Sequence, residues 1–464
     1  MKKLNTRFAH LFSNSGMLGI LAALLPAAAH AGVTFDMMHT VQDCKHEGMP
    51  KTWCEGKEDM IAMDELSGMS AKIAAQLDRA LANPKTAKVS IAYFSFSNKK
   101  IQKKLCEVGM AGIPVEAYID AGSVSPELQA LKTDCQKDKA KPNLKLVILG
   151  GMTSTPWRLH HNKTMMVDPG NGEYININFS SGNLSAFGTS IHLDHWGVLT
   201  ATPDTNLVKA QRCVFEGLTA ADAKATEVKM YEGGVKSQFD GVVAQAYIDA
   251  RESCYVNNAV IPMYQAEKAI AKDGVAPMYS PNNNNEVVKT FTAEIAKVAA
   301  DGKNGYLYIA VQHFLHGGIA AALMQAAQAG VDVRIIFDDD LLTGEGEVEG
   351  VQEFLASSLQ HPNIKIRYIK TNHNAGGNGQ MMHNKFCILS GKRTFSGAGQ
   401  YTGAAMRNNW ENFYLAQSPE LTKKYGLYFK DLWDASWSDN DIKTKAPVAS
   451  KPEAYHAKFL GLIK

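Results

Sequence analysis

The sequence has little net charge and no long apolar run outside its N-terminal segment. Its 464 residues include 48 Lys and Arg against 46 Asp and Glu, a formal net charge of +2. A chain this close to neutral lacks the broad basic surface of a general nucleic-acid binder, although it can still hold a local positive pocket. No later stretch reaches the roughly 18 consecutive apolar residues that a membrane-spanning helix needs. The composition therefore argues against a general nucleic-acid binder and against a membrane-spanning helix after the N-terminal segment.

The N-terminal segment 1–31 resembles a secretory signal peptide. Three basic residues precede a short apolar run at 17–25, and Ala29-His30-Ala31 supplies small residues for cleavage after Ala31. The alternative is an uncleaved anchor, for which the apolar run is short. Removing residues 1–31 leaves 45 basic and 46 acidic residues. We expect a secreted or periplasmic protein.

The seven cysteines fit an exported protein with disulfides. Sequence alone leaves their connectivity open, because several pairings are possible. Cys387 is expected to be a buried thiol in a strand, since no separate base is evident that would activate it. The simplest pairing joins neighbours along the chain: Cys44 with Cys54, Cys106 with Cys135, and Cys213 with Cys254.

One unit of sequence occurs twice. His161-Asn162-Lys163 recurs as His383-Asn384-Lys385, and Ile91-Ala92 recurs as Ile309-Ala310 at nearly the same interval along the chain. Around both motifs, apolar strands alternate with amphipathic helices, which predicts an α/β fold of two pseudo-symmetric lobes. We expect a mixed, largely parallel sheet flanked by helices in each lobe, and one site at their interface. The predicted boundaries are 32–265 for the first lobe with its linker and 266–464 for the second.

The predicted elements follow the same order in both lobes. In the first lobe we predict strands at 88–96, 115–119 and 144–149, with a helix at 99–110. In the second lobe we predict strands at 306–311, 333–337 and 364–369, with a helix at 319–329. The segment 203–245 is expected to be partly helical, and 280–285 reads as a loop or linker.

Polar side chains follow both motifs at matched spacing. His161, Lys163 and Asp168 form H-x-K-x4-D in the first half, and His383 and Lys385 begin the same pattern in the second. An amide then precedes an acid by eleven residues in each half: Asn183 before Asp194, and Gln400 before Glu411. Histidine and lysine two residues apart on a strand point to the same face. Two such pairs on a shared axis suit displacement at a phosphodiester.

Both halves resemble the HKD motif of the phospholipase D superfamily, H-x-K-x4-D followed by G-S-x-N and later E-N. The resemblance covers most of the chain after Ala31. In the first half Ser181 and Asn183 match the Ser and Asn of G-S-x-N, with Ser180 replacing the Gly. In the second half Ser390 replaces the motif Asp, Ala398 the Ser, and Gln400 the Asn.

The resemblance implies a role for each matched residue. It implies a covalent phosphohistidine on His161, with His383 as the acid and then the base for water. Lys163 and Lys385 would stabilise the charged transition state. Ser181, Asn183 and Gln400 would bind the phosphate. The supporting residues would be Asp168, Asp194 and Glu411, the last two each accepting a hydrogen bond from a catalytic imidazole.

Other candidates are assigned structural roles. His160, His192 and His195 are expected to be structural, with His192 and His195 standing where the family has asparagines and serving as hydrogen-bonding partners around the site. The acidic segment from Asp338 to Glu349 fits a solvated strand end and loop better than a calcium site. The segment 371–379 is either a mobile lip over the site or a plain connection.

The sequence as a whole predicts an exported, monomeric phospholipase D. It would act on glycerophospholipids at a membrane surface and need no metal or other cofactor. One alternative is a secreted or periplasmic nuclease with the same site. The other is a degenerate member that binds phospholipid without cleaving it, an idea motivated by Ser390 and Gln400.

Overall fold

The computed structural model describes residues 32–40, 68–123, 143–150, 159–230, 240–338, 361–369 and 380–437, with the single residues 128, 131, 135 and 371. The expected signal peptide and cleavage site, Cys44, Cys54, the acidic segment after Asp338 and most of 371–379 lie outside these residues.

The first seven strands form one mixed sheet, in the order β1-β7-β6-β5-β2-β3-β4. Their bounds are β1 (Val33–His39), β2 (Lys88–Tyr93), β3 (Val115–Ile119), β4 (Leu144–Ile148), β5 (Lys163–Asp168), β6 (Ile175–Ser180) and β7 (His195–Ala201).

A second seven-stranded sheet has the order β12-β11-β9-β13-β14-β16-β8. Read from β4, the first sheet has the same succession of strands, so that β5 matches β13 and β7 matches β16. A short parallel pair, β10 (Phe314–Leu315) with β15 (Tyr401–Thr402), lies beside the second sheet. The other bounds are β8 (Val275–Ser280), β9 (Tyr306–Val311), β11 (Asp332–Asp338), β12 (Ile364–Ile369), β13 (Lys385–Leu389), β14 (Arg393–Gly397) and β16 (Glu411–Ala416).

The sheets are mixed, as expected, but they are not largely parallel. Only β2-β3 and β3-β4 are parallel in the first sheet, and only β9-β11 and β11-β12 in the second. The physical reason is that the strand of each motif is joined to the next strand by a short connection. The links from β5 to β6 and from β13 to β14 are short hairpins, and a short hairpin can join only antiparallel strands.

Eight α-helices of the described residues pack on these sheets. The helix Lys99–Met110 matches its predicted bounds because Asn98 caps it, accepting hydrogen bonds from the backbone N–H of Lys100 and Ile101. The helices are α1 (Met69–Leu81), α2 (Lys99–Met110), α3 (Asn206–Glu227), α4 (Asp240–Asn257), α5 (Ala266–Asp273), α6 (Glu286–Ala300), α7 (Gly317–Gln328) and α8 (Pro419–Ala435). None of the helices described has the length and apolarity that crossing a bilayer requires.

Three cysteine expectations can be compared with the structure. Cys106 is bonded to Cys135, and Cys213 on α3 is bonded to Cys254 on α4, as the simplest pairing predicted. Cys387 is a free thiol buried in β13, also as predicted. Burial raises the pKa of this thiol, and a protonated thiol is a poor nucleophile.

One hydrophobic core joins the two sheets. Its buried side chains come from both, and Phe179 of β6 packs on Tyr414 of β16 with ring centroids 4.3 Å apart. A smaller core lies between the first sheet and helices α1 and α2. Because a close-packed core resists sliding, this packing fixes the relation between β5 and β13, the strands that carry the two motifs.

Candidate active site

The two histidine–lysine pairs occupy equivalent places in the two sheets. Lys163 is the first residue of β5 and Lys385 the first of β13, and each lies opposite the last residue of a central strand, Tyr93 or Val311. His161 and His383 come two residues earlier, at the strand entrances. Each histidine–lysine pair therefore lies at the beginning of the motif strand of its sheet.

Each histidine is paired with an acid from the other half of the chain. His161 Nδ1 lies 2.8 Å from Glu411 Oε2, and His383 Nδ1 lies 2.9 Å from Asp194 Oδ1. Both carboxylates are fully buried, whereas the His161 and His383 side chains keep 13% and 10% of their surface. The carboxylates therefore lie behind the rings, and the rings face the accessible side.

Backbone bonds repeat this crossed arrangement. The Trp410 N–H donates to the Leu159 carbonyl, and the Leu193 N–H donates to the Met381 carbonyl. The Lys163 N–H also donates to Asn412 Oδ1 at 2.7 Å. The segments before each histidine are thus bonded to the segments beside each acid, which joins the two halves into one site.

Each lysine donates to the backbone carbonyl of its own histidine, and Lys163 also contacts the imidazole ring. Lys163 Nζ lies 2.8 Å from His161 Nε2 and 5.6 Å from the centre of the Phe94 ring. Lys385 Nζ donates to the His383 carbonyl at 2.5 Å. An ammonium group can only donate, so it requires an unprotonated Nε2 on His161. The ring proton then lies on Nδ1, which donates it to Glu411.

Burial shifts the pKa values of His161, Lys163 and Glu411. It lowers the pKa of His161 well below its ordinary value, and the charges of Lys163 and Lys385 lower it further. It lowers the pKa of Lys163 to about 8, against the opposing effect of Glu411. It raises the pKa of Glu411 to about 8, against the opposing charge of Lys163. Lys163, His161 and Glu411 therefore form a hydrogen-bonded chain in which one proton can lie on either Lys163 or Glu411. Both of these groups are charged when the proton is on Lys163, and both are neutral when it is on Glu411.

The second histidine shows the same trend. Burial, followed by the charge of Lys385, lowers the pKa of His383 well below its ordinary value. Burial raises the pKa of Asp194, against nearby positive charge. Both imidazoles are therefore held neutral in the absence of an incoming anion, as a nucleophile requires.

Asp168 and its counterpart Ser390 lie at the far ends of the motif strands. Asp168 accepts hydrogen bonds from Arg212 at 2.7 Å and from the Gly170 N–H at 2.8 Å. Ser390 Oγ accepts one from the Tyr306 N–H at 3.1 Å. Both therefore fasten the turn after a strand. Replacing the motif Asp by Ser390 changes a structural contact away from the histidines.

The structure differs from expectation at two of the three predicted phosphate-binding residues. Ser181 is fully buried and donates its hydroxyl proton to Asp194 Oδ1 at 2.7 Å, so it positions the acid. The Gln400 amide donates to Gln312 Oε1 at 2.7 Å and accepts from the His313 N–H at 3.1 Å. Both side chains are therefore engaged with protein groups.

Asn183 is the third predicted phosphate ligand. Its Oδ1 has no hydrogen-bond partner among the residues that the structure describes. An amide oxygen accepts hydrogen bonds and cannot bind a phosphate oxygen, so the phosphate-binding role of Asn183 stays a prediction.

The remaining histidines have distinct contacts. His195 Nδ1 lies 3.3 Å from Asn384 Oδ1, a contact between the halves in keeping with the predicted role. The His160 ring meets Trp410 edge-on at 5.5 Å. His192 lies beside His383, with ring centroids 5.6 Å apart. Potential metal-ligating atoms of His192, Asp194 and His383 all lie within 4.8 Å of one another.

Two aspartates that the sequence analysis did not single out for the site hold the approach to each histidine. Asp120, just after β3, accepts the backbone N–H of His160 at 2.8 Å. Asp338, the last residue of β11, accepts that of Met382 at 2.5 Å. Both are fully buried, so the expected solvated strand end is wrong at Asp338. The interval between these two aspartates equals that between Ile91 and Ile309, which is the signal that could have identified them.

Comparison with known proteins gives matches over part of the chain. The family described as "Cardiolipin synthase, PLD-like domain" matches residues 301–433. The chain is 27% identical over 130 residues to the mitochondrial cardiolipin hydrolase of Danio rerio, covering 28% of this chain and 52% of that protein. It is 26% identical over 147 residues to the enzyme of the same name from Drosophila melanogaster, covering 27% and 53%. The chain thus spans about half the length of these relatives.

A solved structure matches over a larger share of the chain. The fold is similar to that of phosphatidylserine synthase from Haemophilus influenzae Rd KW20, with a TM-score of 0.51 and 12% identity. The match covers 84% of this chain and 90% of the other. At this identity the likeness concerns the fold alone.

Proposed function

Since this chain is a member of the phospholipase D superfamily, we propose that it is an exported phospholipase D. It would hydrolyse glycerophospholipids between the phosphate and the head group. The observation that carries the proposal is the crossed pairing of His161 with Glu411 and of His383 with Asp194. That pairing presents two oriented imidazoles, with two buried lysines, to a single phosphate.

The first step forms a phosphorus–nitrogen bond. His161 Nε2 carries the lone pair, because Lys163 donates to it and the ring proton lies on Nδ1, which donates a hydrogen bond to Glu411. It attacks phosphorus, and the bond from phosphorus to the head-group oxygen breaks. That oxygen takes a proton from His383, which is protonated when the anionic substrate is bound. Lys163 and Lys385 stabilise the charge on the phosphoryl oxygens.

The second step uses water. His383, now neutral, takes a proton from a water molecule, whose oxygen attacks phosphorus on the side that the head group has left. The phosphorus–nitrogen bond breaks, and His161 regains its lone pair. The products are phosphatidate and the free head-group alcohol, and the two histidines return to their starting protonation states. Protons and electron pairs balance without any metal.

Phospholipid is favoured over nucleic acid by two observations. The composition gives no excess of basic residues for a polyanion, with 48 Lys and Arg against 46 Asp and Glu. The relatives named above are called cardiolipin hydrolases. Two lysines at the histidines are enough for one phosphodiester group.

Export is supported by the sequence at residues 1–31 and by two disulfides. Cys106–Cys135 and Cys213–Cys254 are bonds that persist in oxidising compartments and are rare in the cytosol. We propose a monomer that meets its substrate at a membrane surface outside the cytoplasm.

The test is head-group release from vesicles by the purified full-length chain in EDTA. Vesicles of phosphatidylcholine and of cardiolipin are compared with plasmid DNA. We expect phosphatidate from lipid, and a loss of at least about a thousandfold in His161→Ala and His383→Ala. His361→Ala is the matched control, because His361 starts the turn before β12, at the end of the second sheet opposite to Lys385.

Stopping a reaction with phosphate-labelled lipid in detergent at alkaline pH, where the phosphorus–nitrogen bond of phosphohistidine is stable, then identifies the nucleophile. We expect label on His161 in the wild type and none in His161→Ala. DNA cleavage without lipid cleavage would replace the proposal with a nuclease. Binding to vesicles with neither cleavage nor label would identify a non-catalytic lipid-binding protein.

A further inference from the structure

We propose that His192, Asp194 and His383 form a binding site for a divalent transition-metal ion such as Zn²⁺, and that an ion bound there blocks the reaction. The binding site stands on geometry alone. The blocking effect rests on the proposed function, because it concerns the same histidine.

The three side chains converge from both halves of the chain. His192 Nδ1 lies 3.9 Å from Asp194 Oδ2, and His383 Nδ1 lies 2.9 Å from Asp194 Oδ1. A tetrahedral zinc ion with bonds of about 2.0–2.2 Å holds its ligand atoms roughly 3.3 Å apart. The observed separations lie on both sides of that value. Small rotations of buried side chains would therefore bring the three donors around one ion.

Asp194 has an oxygen that the protein does not satisfy. Its carboxylate is fully buried, and Oδ2 has no hydrogen-bond partner among the described residues. The 3.9 Å separation from His192 Nδ1 is too long for a hydrogen bond. A buried polar atom without a partner is costly and calls for a bound water or ion. A cation between His192 and Asp194 would satisfy this oxygen.

The equivalent acid in the second half of the chain, Glu411, gives a comparison for Asp194. Asn409 precedes Glu411 by two residues, as His192 precedes Asp194. The Asn409 amide donates to Glu411 Oε1 at 3.3 Å, so both oxygens of that carboxylate have partners. In the first half an imidazole replaces the amide. At this matched position the second half therefore has a hydrogen-bond donor, and the first half has a side chain that can bind a metal ion.

The donor set defines the class of ion. Two imidazole nitrogens and a carboxylate are ligands for Zn²⁺ and its neighbours, whereas Mg²⁺ and Ca²⁺ prefer all-oxygen sites. The charges of Lys385 and Lys163 act on His383 and oppose a cation. We therefore expect the site to bind an ion reversibly when the metal concentration is raised, and not to hold an ion permanently. A bound ion would occupy a ring nitrogen of His383 and prevent its exchange of protons with substrate and water.

Titration of the full-length chain with Co²⁺, followed by its visible absorption, tests the site. We expect one bound ion in the wild type, displaced by Zn²⁺ and unaffected by Mg²⁺. In His192→Asn, which copies Asn409 of the other half, the affinity should fall by more than about tenfold. His361→Asn is the matched control and should bind like the wild type, which matters in a chain with 14 histidines. Equal affinity in His192→Asn and the wild type overturns the site.

Two further measurements keep the outcomes separate. If His192→Asn fails to fold, X-ray absorption of the zinc-loaded wild type decides, and fewer than two imidazole ligands overturn the site. Zn²⁺ should inhibit lipid hydrolysis, with reversal by EDTA, and His192→Asn should need more than about tenfold more Zn²⁺. Zinc binding without inhibition overturns the blocking effect alone. Absence of hydrolysis in every sample counts against the proposed function and leaves the binding result to decide the site.

Discussion

His161 and Glu411 are 250 residues apart in the chain, yet their side chains meet at 2.8 Å between Nδ1 and Oε2. The contact joins the first motif to β16 of the second sheet. With its counterpart between His383 and Asp194, it makes the orientation of each histidine depend on the opposite half.

Replacing Glu411 by Gln should lower kcat on lipid on the order of a hundredfold or more. A glutamine amide can donate to His161 Nδ1, which moves the ring proton to Nε2 and removes the nucleophilic lone pair. Steady-state kinetics of Glu411→Gln measure the effect. Glu420→Gln, on the exposed first turn of α8, is the control. A kcat within a factor of about two of the wild type would contradict the assigned tautomer.

The dependence of kcat/KM on pH should be bell-shaped, with its maximum near pH 8. The pKa values of Glu411 and Lys163 are both about 8. Below that pH Glu411 gains a proton and no longer accepts from His161, and above it Lys163 loses its charge. The reactive form, with both groups charged, is therefore depleted in either direction.

Two variants separate the limbs of that profile. Lys163→Arg should lose the alkaline limb, because guanidinium does not titrate in this range, and Glu411→Gln should lose the acidic limb. A flat profile between about pH 6 and pH 10 would show that neither group controls the reaction.

Asp120→Asn should lower kcat by about tenfold to a hundredfold while changing KM less. Asp120 accepts the N–H groups of both His160 and Gly122, whereas an asparagine turns its NH₂ toward one of them. The segment before His161 should then shift, and small misplacements of a catalytic group are expensive in rate. Asp338→Asn should act in the same way through His383. Asp222→Asn, at an exposed ion pair with Lys145, is the matched control, and an unchanged kcat in both variants would exclude the positioning role.

Removing the Cys213–Cys254 disulfide should lower the free energy of unfolding by roughly 4 kcal/mol. The bond closes a loop of 41 residues between α3 and α4, and loops of this length lose substantial chain entropy when closed. Urea unfolding of Cys213→Ser/Cys254→Ser with and without reductant measures the effect. Cys387→Ala should leave the response to reductant unchanged, because Cys387 is unbonded. A reductant effect of wild-type size in the double variant would assign the stabilisation to another bond.

Much of the secondary structure could be predicted from local sequence. The helix Lys99–Met110 and the strand Ile364–Ile369 have the bounds that apolar patterning indicated. The predicted strands β2, β3 and β4, and their counterparts β9, β11 and β12, do pair in parallel, but the expectation that each sheet is largely parallel was wrong. The short connections after β5 and β13 instead impose antiparallel hairpins.

Spacing singled out His161, His383 and the two acids, because the motif repeats in register. The structure pairs each histidine with one acid, and the catalytic role of these residues stays a prediction. Spacing did not show that Ser181 would donate to Asp194 or that Gln400 would bond to Gln312. Those contacts depend on which way a side chain turns in a packed interior, and a linear pattern carries no information on that.

The sequence by itself determined the chemistry that this protein can bring to a phosphodiester. It provides an imidazole, an ammonium group and a carboxylate at matched positions in each half, and a strand that places each His and Lys on one face. Only the tertiary structure decided which acid serves which histidine, which nitrogen of the His161 ring carries the proton, and where His192 comes to lie. The physical reason is that these properties arise from burial and from contacts between segments far apart in the chain, which form only when both sheets share one core.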